Sequence, residues 1–167
     1  MIFQTERLYI RRFTLADIDD FFRINSDEEV VRYIRKPKSF EECYEFLLQN
    51  IIMYHTRPGL GRWGVNSRSD NSFVGSFAVI PWVGHTDLQL GYMLSKENWG
   101  KGFATELTLA GMKYMFEELS LGKIVAITEV VNEASQKVLL KAGFSFVENF
   151  NEDGKELKLF EAFNKQG

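Results

Sequence analysis

The chain has one cysteine, Cys43, two histidines and three prolines. A lone cysteine excludes an internal disulfide, which suits a reducing compartment. His55 and His85 stand far apart, and neither falls into a ligand-spaced group with Cys43, so no metal site is expected. No apolar run approaches the ~18 residues that a bilayer span needs. The opening MIFQTERLYIRRF scatters charges among short apolar pairs where a secretion signal would have an apolar core. A cytoplasmic protein without membrane attachment is the expectation. Positive charge is not in excess either, since 20 Lys and Arg stand against 23 Asp and Glu for a formal net charge of -3. That excludes a general nucleic-acid binder, which needs clustered Lys and Arg to neutralise phosphates. It leaves room for a local basic groove around one anionic ligand.

Apolar residues, by contrast, are plentiful. Of 167 residues 45% are hydrophobic and 14% aromatic, including 15 Phe, enough for a real core in one domain spanning 1–167. Arg7 to Phe13 alternates apolar and polar residues as a half-buried strand does. Thr14, with Asp17 three residues on, starts a helix whose face is Ile18, Phe21 and Phe22. Ser39 and Glu42 form a capping box for a second helix carrying Phe40, Cys43, Leu47, Ile51 and Tyr54 at helical spacing. Three strands follow, over Arg62 to Ser67, Phe73 to Ile80 and Leu88 to Leu94, the first two joined as a hairpin through Arg68 to Asn71. A long helix opens at Phe103, a β-branched strand covers Leu121 to Val130, and Asn132 to Ala142 is the last helix, closed by Gly143. Phe144 to Phe150 and Glu156 to Phe163 make a final hairpin. The pattern is a mixed α/β sheet.

The most informative stretch runs from a strand (LGYML) through a short loop (SKENWGKG) into a helix (FATELTLAGMKYMF). Gly100 and Gly102 can take backbone angles closed to other residues and present bare N–H groups. The helix start adds its unpaired N–H groups and the positive end of its dipole. Together they suit a phosphate or diphosphate, with Lys101 adding a charge and Trp99 a flat apolar lid. The same residues also read as a tight turn entering a helix. Neither the G-x-x-x-x-G-K-[ST] spacing nor a G-x-G-x-x-G after the first strand is present.

Leu90-Gly91-Tyr92-Met93-Leu94 followed by Asn98-Trp99-Gly100-Lys101-Gly102-Phe103-Ala104-Thr105-Glu106 resembles the acetyl-CoA motif of the GNAT superfamily. It is most similar to the branch holding the ribosomal-protein N-terminal (alanine/serine) acetyltransferases. Asn132-Glu133-Ala134-Ser135 with Lys141-Ala142-Gly143-Phe144 matches a second signature of that branch, and Thr5-Glu6-Arg7-Leu8 with Arg11-Arg12-Phe13 and Ala16-Asp17 a third. The resemblance implies a GNAT fold: a mostly antiparallel sheet of roughly six or seven strands, splayed in the middle and flanked by about four helices. It implies an N-acetyltransferase with acetyl-CoA as co-substrate and an amine acceptor, a protein N-terminal α-amine foremost. A small amine (polyamine, aminoglycoside or amino acid) or a non-catalytic acetyl-CoA sensor are the alternatives.

Carried over by motif, the backbone from Trp99 through Gly100, Lys101, Gly102 and Phe103 to Ala104 would bind the diphosphate. The pantetheine arm would pair with the strand edge at Tyr92, Met93 and Leu94 like an added strand, an N–H near Met93 polarising the thioester. Asn132 would hold the pantetheine, cap the last helix, or both. Ser135 would protonate the leaving thiolate, or merely cap a turn. The tyrosine that many relatives use for this is replaced by Leu139. Related sequences often carry Glu two residues before the strand glycine, where this chain has Gln89, an amide that takes no proton near neutral pH. Asp87 is then either a base acting through water or an exposed loop acid. Arg62, Trp63, Trp82 and His85 flank the expected acceptor groove, as substrate contacts or as packing. A homodimer could use the apolar edge of Phe144, Phe146, Phe150, Phe160 and Phe163.

Overall fold

The structure, a computed structural model, describes residues 1–165. Its strands are β1 (Phe3–Gln4), β2 (Leu8–Arg12), β3 (Gly61–Ser67), β4 (Phe73–Pro81), β5 (Leu88–Leu94), β6 (Lys123–Glu129), β7 (Ser145–Glu152) and β8 (Lys155–Phe163). The helices are α1 (Ile18–Ser26), α2 (Glu28–Val31), α3 (Phe40–Thr56), α4 (Phe103–Lys113) and α5 (Glu133–Ala142). One eight-stranded sheet in the order β1-β2-β3-β4-β5-β6-β8-β7 carries them. The class is the expected α/β GNAT fold, with one strand and one helix more than read from the sequence. β1 has only two residues, too few to show alternation, and α2 is a four-residue turn started by Asp27, whose carboxylate accepts from the N–H groups of Glu29 and Val30.

Every pairing is antiparallel except that of β5 with β6. Among the described residues those two strands meet in parallel at one pair, Gln89 opposite Val125, and then diverge without further rungs. The expected splay is therefore real. It opens toward the ends of β5 and β6 that carry Leu94 and Glu129.

Local chemistry explains the elements on either side. Ser39 and Glu42 cap α3 reciprocally: the Glu42 N–H donates to Ser39 Oγ at 3.2 Å, and the Ser39 N–H to Glu42 Oε2 at 2.7 Å. Asn132 caps α5 by accepting from the Ser135 N–H at 3.3 Å, and Gly143 ends that helix at φ 104°. The β7–β8 hairpin turns on Asp153 and Gly154, both at positive φ. One sheet face packs Trp63, Phe77, Leu90 and Leu94 against Leu107 of α4. The other meets α1 and α3 through Phe13, Phe21, Leu47 and Met93.

Two expectations are corrected here. Trp63 does not flank a groove; it is 1% exposed and stacks on Phe77, because alternation along β3 sends it to the face opposite Arg62. The apolar edge of the closing hairpin is also smaller than expected. Phe144 and Phe160 are core residues and Phe150 packs on Trp82, leaving Phe146, Val147 and Phe163 exposed.

Candidate active site

A cleft of about 830 Å³ follows the splay and passes through the sheet. One wall is the glycine loop and α4, where Trp99, Gly100, Gly102, Phe103, Ala104 and Thr105 line it; α5 contributes Ala134, Ser135 and Val138 after Asn132. Gly100 and Gly102 stand at φ 72° and 79°, the left-handed region. That conformation turns consecutive amides the same way. Among the described residues, none of the six N–H groups from Gly100 to Thr105 meets a protein acceptor. Such a run at a helix start is a ready anion cradle.

Side chains hold the loop in shape. Trp99 Nε1 donates to the Leu94 carbonyl at 2.8 Å, so the indole bolts the loop to the end of β5 rather than lying over a ligand as a lid. Asn98 Nδ2 donates to Ser95 Oγ at 2.8 Å, and Ser95 Oγ donates to the Val74 carbonyl at 3.1 Å. Lys101 does not line the cleft; its ammonium reaches Asn98 Oδ1 at 3.2 Å.

A second brace comes from the far end of the chain. Glu106 Oε1 accepts from Thr5 Oγ1 at 2.5 Å and from the Arg7 N–H at 3.0 Å, while Oε2 accepts from Arg7 Nε at 2.7 Å. Arg7 also donates to the Lys101 carbonyl at 2.9 Å and lies over the Phe103 ring. The opening Thr5-Glu6-Arg7 signature is thus a clamp on the glycine loop. Its role escapes sequence reasoning because its partner lies 99 residues downstream.

Burial pushes the Glu106 carboxyl up, but the bonds from Thr5 and Arg7 outweigh it and hold the group below the ordinary range. The stabilisation it brings is therefore complete above the unfolded value of ~4.3 and disappears as pH falls through the lower folded value. Glu106→Gln should cost about 1 kcal/mol, discounted because Arg7 is 47% exposed, and should flatten the acid limb of stability. Thermal melts of both proteins across acidic pH check this.

The sites predicted on β5 divide. Gln89, Tyr92, Met93 and Leu94 all line the cleft. Burial pushes the Tyr92 phenol up, an effect partly offset by the neighbouring Ser135 side chain. Asp87 is a correction: its carboxylate pairs with Lys123 Nζ at 2.9 Å at the foot of β5 and does not line the cleft. Among the described residues the acids that do line it are Glu29 and Glu129, ion-paired to Lys96 and Lys155, and Glu152 and Asp153 at the β7–β8 turn. Two residues that line the same space, Trp82 and Thr128, each carry a buried polar atom, Nε1 and Oγ1, with no partner within the described protein.

On the side facing α1 to α3 the cleft continues as a second chamber. Its floor is Ser76, Ala78 and Ile80 of β4 with Gln89, Gly91 and Met93 of β5; Arg62, Arg35, Phe46, Phe21 and Asn25 form its wall. Nothing occupies the space in front of Gly91, where a Cβ would find no atom within 4 Å. Of the expected groove residues, Arg62 and Trp82 are there, and His85 is stacked behind Trp82 at 3.4 Å between ring centroids. Arg35 and Phe46 were not singled out from the sequence.

Comparison with known proteins agrees with this geometry. Residues 7–145 match the acetyltransferase (GNAT) domain family. An uncharacterized N-acetyltransferase of Bacillus subtilis, YoaA, is 32% identical over 146 residues, covering 86% of this chain and 82% of that protein. Among solved structures, RimL, a ribosomal L7/L12 alpha-N-protein acetyltransferase in complex with coenzyme A, superposes at TM-score 0.81 and 16% identity over 97% of each chain. A spermidine N-acetyltransferase of Vibrio cholerae superposes at 0.75 and 21% identity, over 93% of this chain and 95% of that one. The splayed sheet, the amide-lined loop and these matches make the chain a member of the GNAT acetyltransferase family, an acyltransferase of a family that uses acetyl-CoA.

Proposed function

We propose that this enzyme acetylates an α-amino group, a protein or peptide N-terminus foremost, rather than a lysine side chain or a polyamine. The observation that carries the reading is what stands in the base's place among the described residues: the position two residues upstream of Gly91 is the amide Gln89, and Asp87 is ion-paired with Lys123. An α-amine with pKa ~7.7–8.0 is roughly a tenth neutral at pH 7, whereas a lysine amine near ~10.4 is neutral in less than about one part in a thousand. That gap is about 3 kcal/mol, which a site without its own base does not supply. Arg35 and Arg62 in the chamber wall add to the selection, because their charge disfavours an ammonium and still more a polycation.

The residues fit the coenzyme. The N–H groups from Gly100 to Thr105 would hold its diphosphate, and the unpaired edge of β5 from Tyr92 to Leu94, with Asn132 opposite, its pantetheine arm. When bound, acetyl-CoA supplies a thioester-activated acetyl group. Ser135 Oγ, backed by the Tyr92 phenol, is the protein's proton donor on the leaving-group side, in place of the tyrosine lost at Leu139. The acceptor enters by the opposite chamber, across Gly91.

A thiol-release assay over N-terminal peptides, lysine side-chain peptides and spermidine tests this. N-terminal peptides are expected to be turned over at least about 10-fold faster per kcat/KM. Faster turnover of lysine or spermidine would overturn the reading.

A further inference from the structure

Among the described residues no carboxylate pairs with the positive charge in the wall of the acceptor chamber. Arg35 and Arg62 both lie against the ring of Phe46, their guanidinium carbons 5.2 and 4.6 Å from its centroid, and Lys38 Nζ approaches the same ring at 5.1 Å. Arg35 donates to Asn25 Oδ1 at 2.7 Å, a neutral partner that is itself buried. Among the described residues neither guanidinium forms an ion pair; of the acids that line the cleft, Glu29 and Glu129 are bound by Lys96 and Lys155, and Glu152 and Asp153 belong to the β7–β8 turn. Burial, and then repulsion from Arg35, pushes Arg62 down to about 10. Two partly desolvated like charges that face an open chamber are costly unless an anion completes them.

We infer that Arg35 and Arg62 form a carboxylate subsite, so that the acceptor carries an acidic group within one or two residues of the amine it presents. The register fixes the scale. Arg62 pairs with Ala78, and Ala78 with Gly91, so Arg62 stands two strands from the floor position where the amine arrives, about 10 Å between backbones. An arginine side chain covers most of that distance, leaving room for a carboxylate close to the amine. A guanidinium fork binds a carboxylate through two parallel hydrogen bonds, and both forks lie beside the Phe46 ring. The inference rests on the α-amine reading above and narrows its substrate class. It also supplies what a low-pKa amine site needs, affinity from a group other than the amine.

The test uses peptides with free N-termini beginning Ala-Asp, Ala-Asn and Ala-Lys, together with free alanine and alaninamide. KM for the Ala-Asp peptide should be about 10- to 100-fold below that for Ala-Asn. Arg62→Met and Arg35→Met should each erase that difference through KM with little change in kcat, Arg62→Lys should restore part of it, and acetyl-CoA affinity by calorimetry should be unchanged, showing intact folding. A matching advantage of alanine over alaninamide would assign the carboxylate to a free amino acid; an advantage confined to Ala-Asp would assign it to a peptide side chain. Calorimetry of the CoA-loaded enzyme with N-acetyl-Ala-Asp and its diamide gives a readout without turnover. Binding of the acid over the diamide, lost in Arg62→Met, supports the subsite even if no α-amine is acetylated, an outcome that would overturn only the α-amine reading. Equal KM for Ala-Asp and Ala-Asn, or equal binding of acid and diamide, overturns the carboxylate subsite.

Discussion

Gly75→Ala is expected to destabilise the protein by about 3 kcal/mol or more, lowering its melting temperature by roughly 6–12 °C. Gly75 lies on β4 opposite Leu94 of β5. A Cβ built there would stand 2.1 Å from the Met93 carbonyl oxygen and 2.9 Å from Leu94 Cα. Both are backbone atoms of a paired strand, so no rotamer change relieves the clash and β4 must move away from β5. The displaced segment is the one whose outer edge borders the cleft, and acetyl-CoA affinity should fall along with stability. Calorimetric melts with and without acetyl-CoA measure both effects. A melting temperature within 2 °C of the parent would show that β5 bends away freely from β4.

The glycine loop should behave in the opposite way, with a large loss of binding and little loss of stability. Gly100 and Gly102 both sit in the left-handed region, and both are exposed. An alanine in that conformation costs about 1–2 kcal/mol. Neither position is crowded: no atom lies within 4 Å of a Cβ at Gly100, and only Arg7 comes as near as 3.5 Å at Gly102. The doubly substituted Gly100→Ala, Gly102→Ala protein can therefore fold with its loop relaxed to ordinary angles, and the strain falls due when the amides must converge on a ligand. Together the two changes should weaken acetyl-CoA by about 30- to 1,000-fold while the melting temperature without ligand moves by only a few degrees. Titration calorimetry beside a thermal melt separates the two quantities. Unchanged affinity would show that these amides do not hold the diphosphate.

The features legible in the sequence are those whose partners lie close along the chain. The Ser39–Glu42 box, the Asn132 cap, the positive-φ glycines and the strand-loop-helix passage from Leu90 to Glu106 each declare themselves within a few residues. What stayed hidden depends on chain segments that meet only after folding. Asp87 was a candidate base until Lys123, from a strand 36 positions away, took its charge. Arg7 and Glu106 are ordinary charged residues until β2 packs beside α4. Arg62 and Trp63 were grouped as neighbours, yet adjacent strand residues face opposite sides, so only one of them could reach a given chamber. Arg35 lies in an irregular stretch between α2 and α3, where no periodicity says which way a side chain will go. Its meeting with Arg62 and Phe46 belongs to tertiary structure alone.

The single rung between Gln89 and Val125 has a mechanical consequence. Among the described residues β1 to β5 form one plate and β6, β8 and β7 another, each held by extended ladders inside but stitched to the other at a single pair. A backbone-like arm threaded into the gap would act as a keystone, supplying the hydrogen bonds that the strands withhold from each other. The free protein is then softest along the line where the proposed coenzyme arm would lie, and binding that arm would stiffen the platform.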